Sequence, residues 1–304
     1  MNQQEKRGET LTGQTQETST SPRANTLPLS DIRRVLVALD ASRHSLAALE
    51  AAAELAARME AELLGLFVED INLLKLAELP FAREVTYPSA TDQRLDSIRM
   101  ERELRVQAEQ ARRALATAAK RARVHWSFRV VRGQVPLEVL EAALGADLLS
   151  LGKASRQLTK RVRLGSTARE VVTRGSRYVL LTQHGVRIGQ PVLVVYDGSE
   201  SSKQALNAAG YLAEAEEGHL TVFILAVDLI TAQRLEKEVA EWLRGRKLQI
   251  HYHQLAGLDV QSLVRAVRME EGGVLVLHGE NSMLPSEAMQ TLLEEIDCPV
   301  LLVR

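Results

Sequence analysis

A short apolar run that stops at an aspartate occurs twice in this chain, and the 157-residue spacing between the two limits the fold more than any other feature. Val35-Leu36-Val37-Ala38-Leu39 ends at Asp40-Ala41-Ser42, and Val192-Leu193-Val194-Val195-Tyr196 ends at Asp197-Gly198-Ser199. The same offset carries Ser45 onto Ser202, Ala48 onto Ala205, Leu49 onto Leu206 and Ala51 onto Ala208. The two halves read as copies of one unit.

Each copy continues with short apolar runs that read as strands: Leu63–Val68, Trp126–Val131, Leu148–Leu151 and Val179–Thr182, then Leu220–Leu225, Ile250–Leu255, Val274–Leu277 and Val300–Val303. Helical stretches separate them at Asp92–Arg121, Pro136–Leu144, Thr167–Arg174, Leu235–Leu243, Val260–Met269 and Ser286–Ile296. Strands apolar on both faces, alternating with amphipathic helices, predict an α/β fold of two tandem open sheets, each five-stranded, parallel and sandwiched by helices. The expected divisions are a disordered tail at 1–29, rich in Gln, Thr, Ser and Glu, a first domain at 30–185 and a second at 190–304. Ligands of such sheets lie beyond the carboxyl ends of the strands, where strand order reverses.

Composition narrows the function. Lys and Arg total 38 against 39 Asp and Glu, a net charge of −1 that argues against a general nucleic-acid binder. A single cysteine, Cys298, fits a reducing cytoplasm and supports neither a disulfide nor a cysteine-based metal site. No apolar leader or membrane-length segment stands out, so a cytoplasmic protein with no membrane partner is expected.

The most suggestive stretch follows the fourth strand of the first half. Gly152-Lys153-Ala154-Ser155 is followed by nine residues and then Gly165-Ser166-Thr167, which opens a helix. Glycines permit close backbone approach and a helix start offers free N–H groups, while Lys153, Arg156, Lys160, Arg161 and Arg163 stand between with no acid. Two readings stay open on these residues alone: an anion-binding turn, or a helix cap beside a solvated basic loop.

With the Asp-ended strand, the Gly-x-x-Ser, nine-residue, Gly-Ser spacing and the ending Asp297-Cys298-Pro299-Val300, the chain resembles a tandem universal stress protein. The resemblance covers nearly everything after residue 30. It implies a nucleotide-alpha-hydrolase-like, Rossmann-like fold with ATP, alone or with Mg, across the strand ends of the first half. Asp40, Ala41 and Ser42 would lie at the nucleoside end, Val68 against adenine, and Gly152, Ser155, Gly165, Ser166 and Thr167 around the phosphates. Ser155 stands where the family has its second glycine, and Ala41 where the family commonly has glycine. The resemblance further implies a stress-response sensor acting through protein partners, pairing of the two halves through their last strands, and larger homo-oligomers. Ser166 and Thr167 are candidate phosphoacceptors. No general base or metal platform is evident, so no catalytic residue is assigned and turnover would be at most slow hydrolysis or autophosphorylation. The alternative is a scaffold of the same fold that binds no nucleotide.

The second half lacks the full loop. Gly279 to Val300 spans 21 positions against 27 from Gly152 to Val179, and Ser286-Glu287 stand where Gly165-Ser166 stand. A carboxylate there repels phosphate and suits a helix's first turn instead. His251 and His253 read as a solvated strand face, His278 as a satisfied strand-end histidine, and Cys298 as a buried, inert thiol. The inserted segment 72–89 has three open readings: a lid, a partner patch or packing against the neighbouring half.

Overall fold

The computed structural model describes residues 28–79, 83–86, 91–94, 96–153, 164–185, 188–214, 218–256, 259–270, 273–279 and 286–304. After a 3-10 turn at Leu29–Asp31, the first half runs β1 (Arg34–Leu39), α1 (Arg43–Arg58), β2 (Glu62–Asp70), α2 (Ile71–Ala77), β3 (Arg83–Thr86), β4 (Thr91–Arg94) and α3 (Ser97–Ala122). It continues with β5 (Trp126–Gly133), α4 (Val135–Ala143), β6 (Leu148–Gly152), α5 (Ser166–Arg174) and β7 (Tyr178–Thr182). The second half runs β8 (Val192–Tyr196), α6 (Glu200–Glu214), β9 (His219–Ala226), α7 (Leu229–Trp242), β10 (Gln249–Ala256), α8 (Val260–Met269), β11 (Val274–His278), α9 (Ser286–Glu295) and β12 (Val300–Val303).

Ten strands form one sheet in the order β10-β9-β8-β11-β12-β7-β6-β1-β2-β5. Within this sheet every pairing inside a half is parallel; at the seam β12 meets β7 antiparallel, Leu301 opposite Leu180 and Leu302 opposite Val179. The last strands therefore pair as the sequence implied, and a pseudo-twofold axis relates the halves.

Burial explains why the central strands are apolar, whereas the edge strands β5 and β10 carry polar side chains. Val35, Val37 and Leu39 of β1 enter one core with Ala48, Leu49 and Ala52 of α1 and Leu115 of α3, while Leu36 enters the other with Val139 of α4 and Val171 of α5. Alternate residues serve opposite faces of a sheet covered on both sides. Each core crosses the seam, with Leu206 and Leu235 joining the first and Leu263 and Leu292 the second.

Two helix starts change: that read from Leu235 begins at Leu229, where the Asp228 carboxylate accepts the Thr231 amide. The helix read from Asp92 begins at Ser97, because the Asp96 carboxylate accepts the Arg99 amide and caps it, and Thr91–Arg94 instead pairs with Arg83–Thr86 in a two-stranded hairpin. Of segment 72–89, α2 buries Leu74 and leaves Leu73 and Leu76 exposed, and residues 80–82 and 87–90 lie outside the described residues. Residues 1–27 of the expected tail lie outside them too, and Leu29, at its expected end, is buried in the turn at Leu29–Asp31.

Candidate functional site

The loop after β1 is built from its own short side chains. The Ser42 amide donates to Asp40 Oδ1 (2.9 Å), the Ser42 hydroxyl accepts the Ser45 amide (3.1 Å) and caps α1, and the Asp40 amide donates to Ser45 Oγ (3.3 Å). Ala41 at the corner is left-handed, φ 58°, a conformation costing an L-residue about 1–2 kcal/mol and suited to glycine. Its counterpart Gly198 has φ 82°. The Asp197 turn repeats the pattern, Ser199 donating to Asp197 Oδ1 (3.0 Å) and accepting the Ser202 amide (3.1 Å). Asp40 itself is exposed, with Oδ2 free of hydrogen bonds among the described residues.

Beside this loop, β6 ends at Gly152 and α5 begins after Gly165. A Cβ at Gly152 would stand 2.9 Å from His44 Cβ and 3.0 Å from the His44 carbonyl carbon, so only glycine lets β6 lie this close to α1. Gly165 occupies the N-cap of α5 with no side chain to cap it, leaving the first amides of the helix, at Ser166 and Thr167, without an acceptor among the described residues. An uncapped helix start carries roughly half a positive charge and presents N–H donors.

These two ends meet. A cleft of about 110 Å³ is lined by Asp40, Ser42, Ser45, Gly152, Gly165, Ser166 and Thr167, with an apolar wall from Ala38, Leu66, Val68, Val135, Val139 and Leu151. Val68 stands one residue past the last β1–β2 pair, Leu39 opposite Phe67, so β1 no longer covers it. Among the expected site residues Asp40, Ser42, Val68, Gly152, Gly165, Ser166 and Thr167 line this cleft; Ala41 shapes its loop; Ser155 lies outside the described residues, as do Arg156, Lys160, Arg161 and Arg163. The cleft sits at the switch point, since β1 is flanked by β2 on one side and β6 on the other.

Lys153 corrects the sequence reading. Its side chain does not face the cleft as a phosphate contact; it is fully buried and donates to the carbonyls of Ile296 (2.7 Å) and Cys298 (2.9 Å) in the second half. Burial brings its ammonium pKa down to about 8, against the opposing pull of Cys298 and Asp297. The Cys298 thiol, buried as expected, is pushed up to about 11 by the same desolvation. Behind Gly152, burial and nearby His184 lower the His44 pKa while Asp40 opposes them.

The second half diverges at each of these points. With Val35 opposite Leu148 and Val192 opposite Val274, the register sets His278, not Gly279, at the position of Gly152. His278 to Val300 is 22 positions against 27 from Gly152 to Val179, a loop five residues shorter rather than six. His278 is buried, so an imidazole stands where the first half has no side chain. Glu287 lies exposed in the first turn of α9, as its charge predicted. His253 pairs with Glu270 (2.8 Å) and lies tilted beside Phe223, their ring centres 5.7 Å apart, and no group of three or more metal-ligating side chains exists among the described residues.

Sequence reasoning missed the apolar wall, because Val135 and Val139 belong to a helix that is apolar for core reasons as well. Ser45 was visible as a repeated position, but only the fold shows its hydroxyl accepting the Asp40 amide.

The model of the universal stress protein family matches residues 31–183. Among solved structures, a universal stress protein from Archaeoglobus fulgidus DSM 4304 is 19% identical, covers 89% of this chain and 96% of its own, and has a TM-score of 0.69. A universal stress protein from Pseudomonas aeruginosa UCBPP-PA14, itself described as putative, is 15% identical, with 90% and 94% covered and a TM-score of 0.55. No curated protein matches.

Proposed function

Because this chain belongs to the universal stress protein family, we propose that residues 30–185 form a nucleotide-binding domain that takes ATP and that residues 190–304 form a degenerate copy that does not. One observation carries this reading: the uncapped start of α5, with Gly165, Ser166 and Thr167, shares a cleft with Asp40 and Val68. Phosphate oxygens would accept from the α5 amides and the two hydroxyls, Asp40 would accept from ribose hydroxyls, and the base would lie on the apolar wall by Val68. The protein would act in the cytoplasm as a stress sensor that reports nucleotide occupancy to protein partners. No helix among the described residues is long and apolar enough to cross a membrane.

A second reading, a scaffold that binds no nucleotide, is favoured by the cleft's size, about 110 Å³ where ligand pockets usually measure roughly 300–1,000 Å³. ATP binding therefore requires most of the nucleotide to lie outside this cleft. Calorimetry of the dialysed full chain against ATP, ADP, AMP and cAMP separates the two. The nucleotide reading expects one ATP per chain and its loss in Gly165→Glu; no heat with any of the four establishes the scaffold.

A further inference from the structure

The α5 helix is held from the second half at both ends. Before its N-terminus, the Leu164 amide donates to Glu294 Oε1 of α9 (3.4 Å). Past its C-terminus, the Arg304 guanidinium donates to the carbonyls of Gly175 (3.2 Å) and Val172, satisfying groups the last turn leaves open. Lys153 links these ends to the cleft. Its amide donates to the Thr182 carbonyl of β7 (2.7 Å), its carbonyl accepts the Gly165 amide (2.9 Å), and its ammonium is spent on Ile296 and Cys298. One residue thus joins the strand carrying Gly152, the cap of α5 and the turn that enters β12.

Burying an ammonium without a carboxylate partner is unfavourable, and an apolar side chain of like size would fill the same space more cheaply. A lysine here secures position: its two carbonyl partners are backbone groups of the other half, so the cap of α5 keeps its place only while the seam is closed. We propose that the second half is an intramolecular clamp on the nucleotide helix, with Lys153 and Arg304 as positioning residues, so that nucleotide binding and closure of the β7–β12 seam are thermodynamically linked. This rests on the nucleotide reading above. The degenerate half then has a role of its own, since whatever loosens the seam releases nucleotide, and nucleotide tightens the seam.

The test is ATP titration by calorimetry of the full chain as wild type, Lys153→Met, Arg304→Gln and Arg304→Lys, each first shown to be folded. The clamp expects weakening of roughly 5–150-fold for Lys153→Met and Arg304→Gln and substantial recovery in Arg304→Lys. Should Lys153→Met fail to fold, the Arg304 pair still decides. The reciprocal readout is amide hydrogen exchange at Val300–Val303. Opening of the seam should be suppressed by roughly 5–60-fold at ATP 100 times over Kd in wild type, the range set by the same coupling, and markedly less in Arg304→Gln. Wild type that binds ATP alongside folded variants of unchanged affinity overturns the clamp and leaves the nucleotide reading standing; wild type that gives no heat overturns both.

Discussion

Replacing Lys153 with methionine removes a buried cation whose energetics can be followed by pH. The folded-state pKa of about 8 lies below the 10.5 of an unperturbed lysine, because burial disfavours the charged form. Between these values the unfolded chain binds more protons than the folded one, so this residue makes stability rise as pH rises, by up to about 1.4 kcal/mol per pH unit and about 3 kcal/mol over the whole window. Cys298 acts in the opposite sense: its thiol pKa is raised from 9.0 to about 11, so its contribution is complete below pH 9 and is lost as pH rises through the folded value. The wild type should therefore gain stability between pH 8 and 9 and flatten above that. The informative quantity is the difference in unfolding free energy between wild type and Lys153→Met, measured by urea denaturation followed by far-UV circular dichroism at pH 7, 8, 9 and 9.5. That difference should move in favour of wild type by about 2 kcal/mol between pH 8 and 9.5. A difference that stays constant to within a few tenths would show that Lys153 is solvated or paired, and the buried cation would have to be abandoned.

Further predictions follow from the loops around the cleft. Ala41→Gly relieves a left-handed alanine and should stabilise the chain by about 1 kcal/mol, read as a rise in the urea midpoint. Ser42→Ala removes the cap of α1 and should cost about 1 kcal/mol by the same measurement. Gly152→Ala drives a methyl into the His44 backbone and should destabilise by about 1–3 kcal/mol, with lost ATP affinity in whatever remains folded. Ser166→Ala with Thr167→Ala should weaken ATP without abolishing it, since the α5 amides remain; complete loss would place the affinity in the hydroxyls.

The central strands were legible because burial on both faces leaves little room for polar residues. Leu148–Leu151 and Val274–Leu277 each fall within one residue of the observed elements. The helix read from Asp92 failed at its start, since charge pattern alone does not tell a hairpin strand from a first helical turn when the deciding group is the Asp96 cap. Asp40, Gly152, Gly165, Ser166 and Thr167 were legible because glycine, a helix start and a strand-end aspartate each have a backbone reason to be where they are, whereas the apolar lining was not. Lys153 was misread for the converse reason: a lysine between glycines looks like a phosphate contact, and only the packing of the second half onto β6 and β7 shows its charge directed at Ile296 and Cys298. The loop deletion was miscounted because two glycines, Gly152 and Gly279, were matched by type, whereas hydrogen-bond register matches Gly152 with His278.

The central claim is that the uncapped start of α5, and not the first turn of α9, receives the phosphates. Titrating ATP into the isotope-labelled full chain and following backbone amide resonances tests it residue by residue. The account predicts large shifts at Ser166 and Thr167 that saturate at one equivalent, with Ser286 and Glu287 little changed. Saturating shifts confined to Ser286 and Glu287 would contradict it.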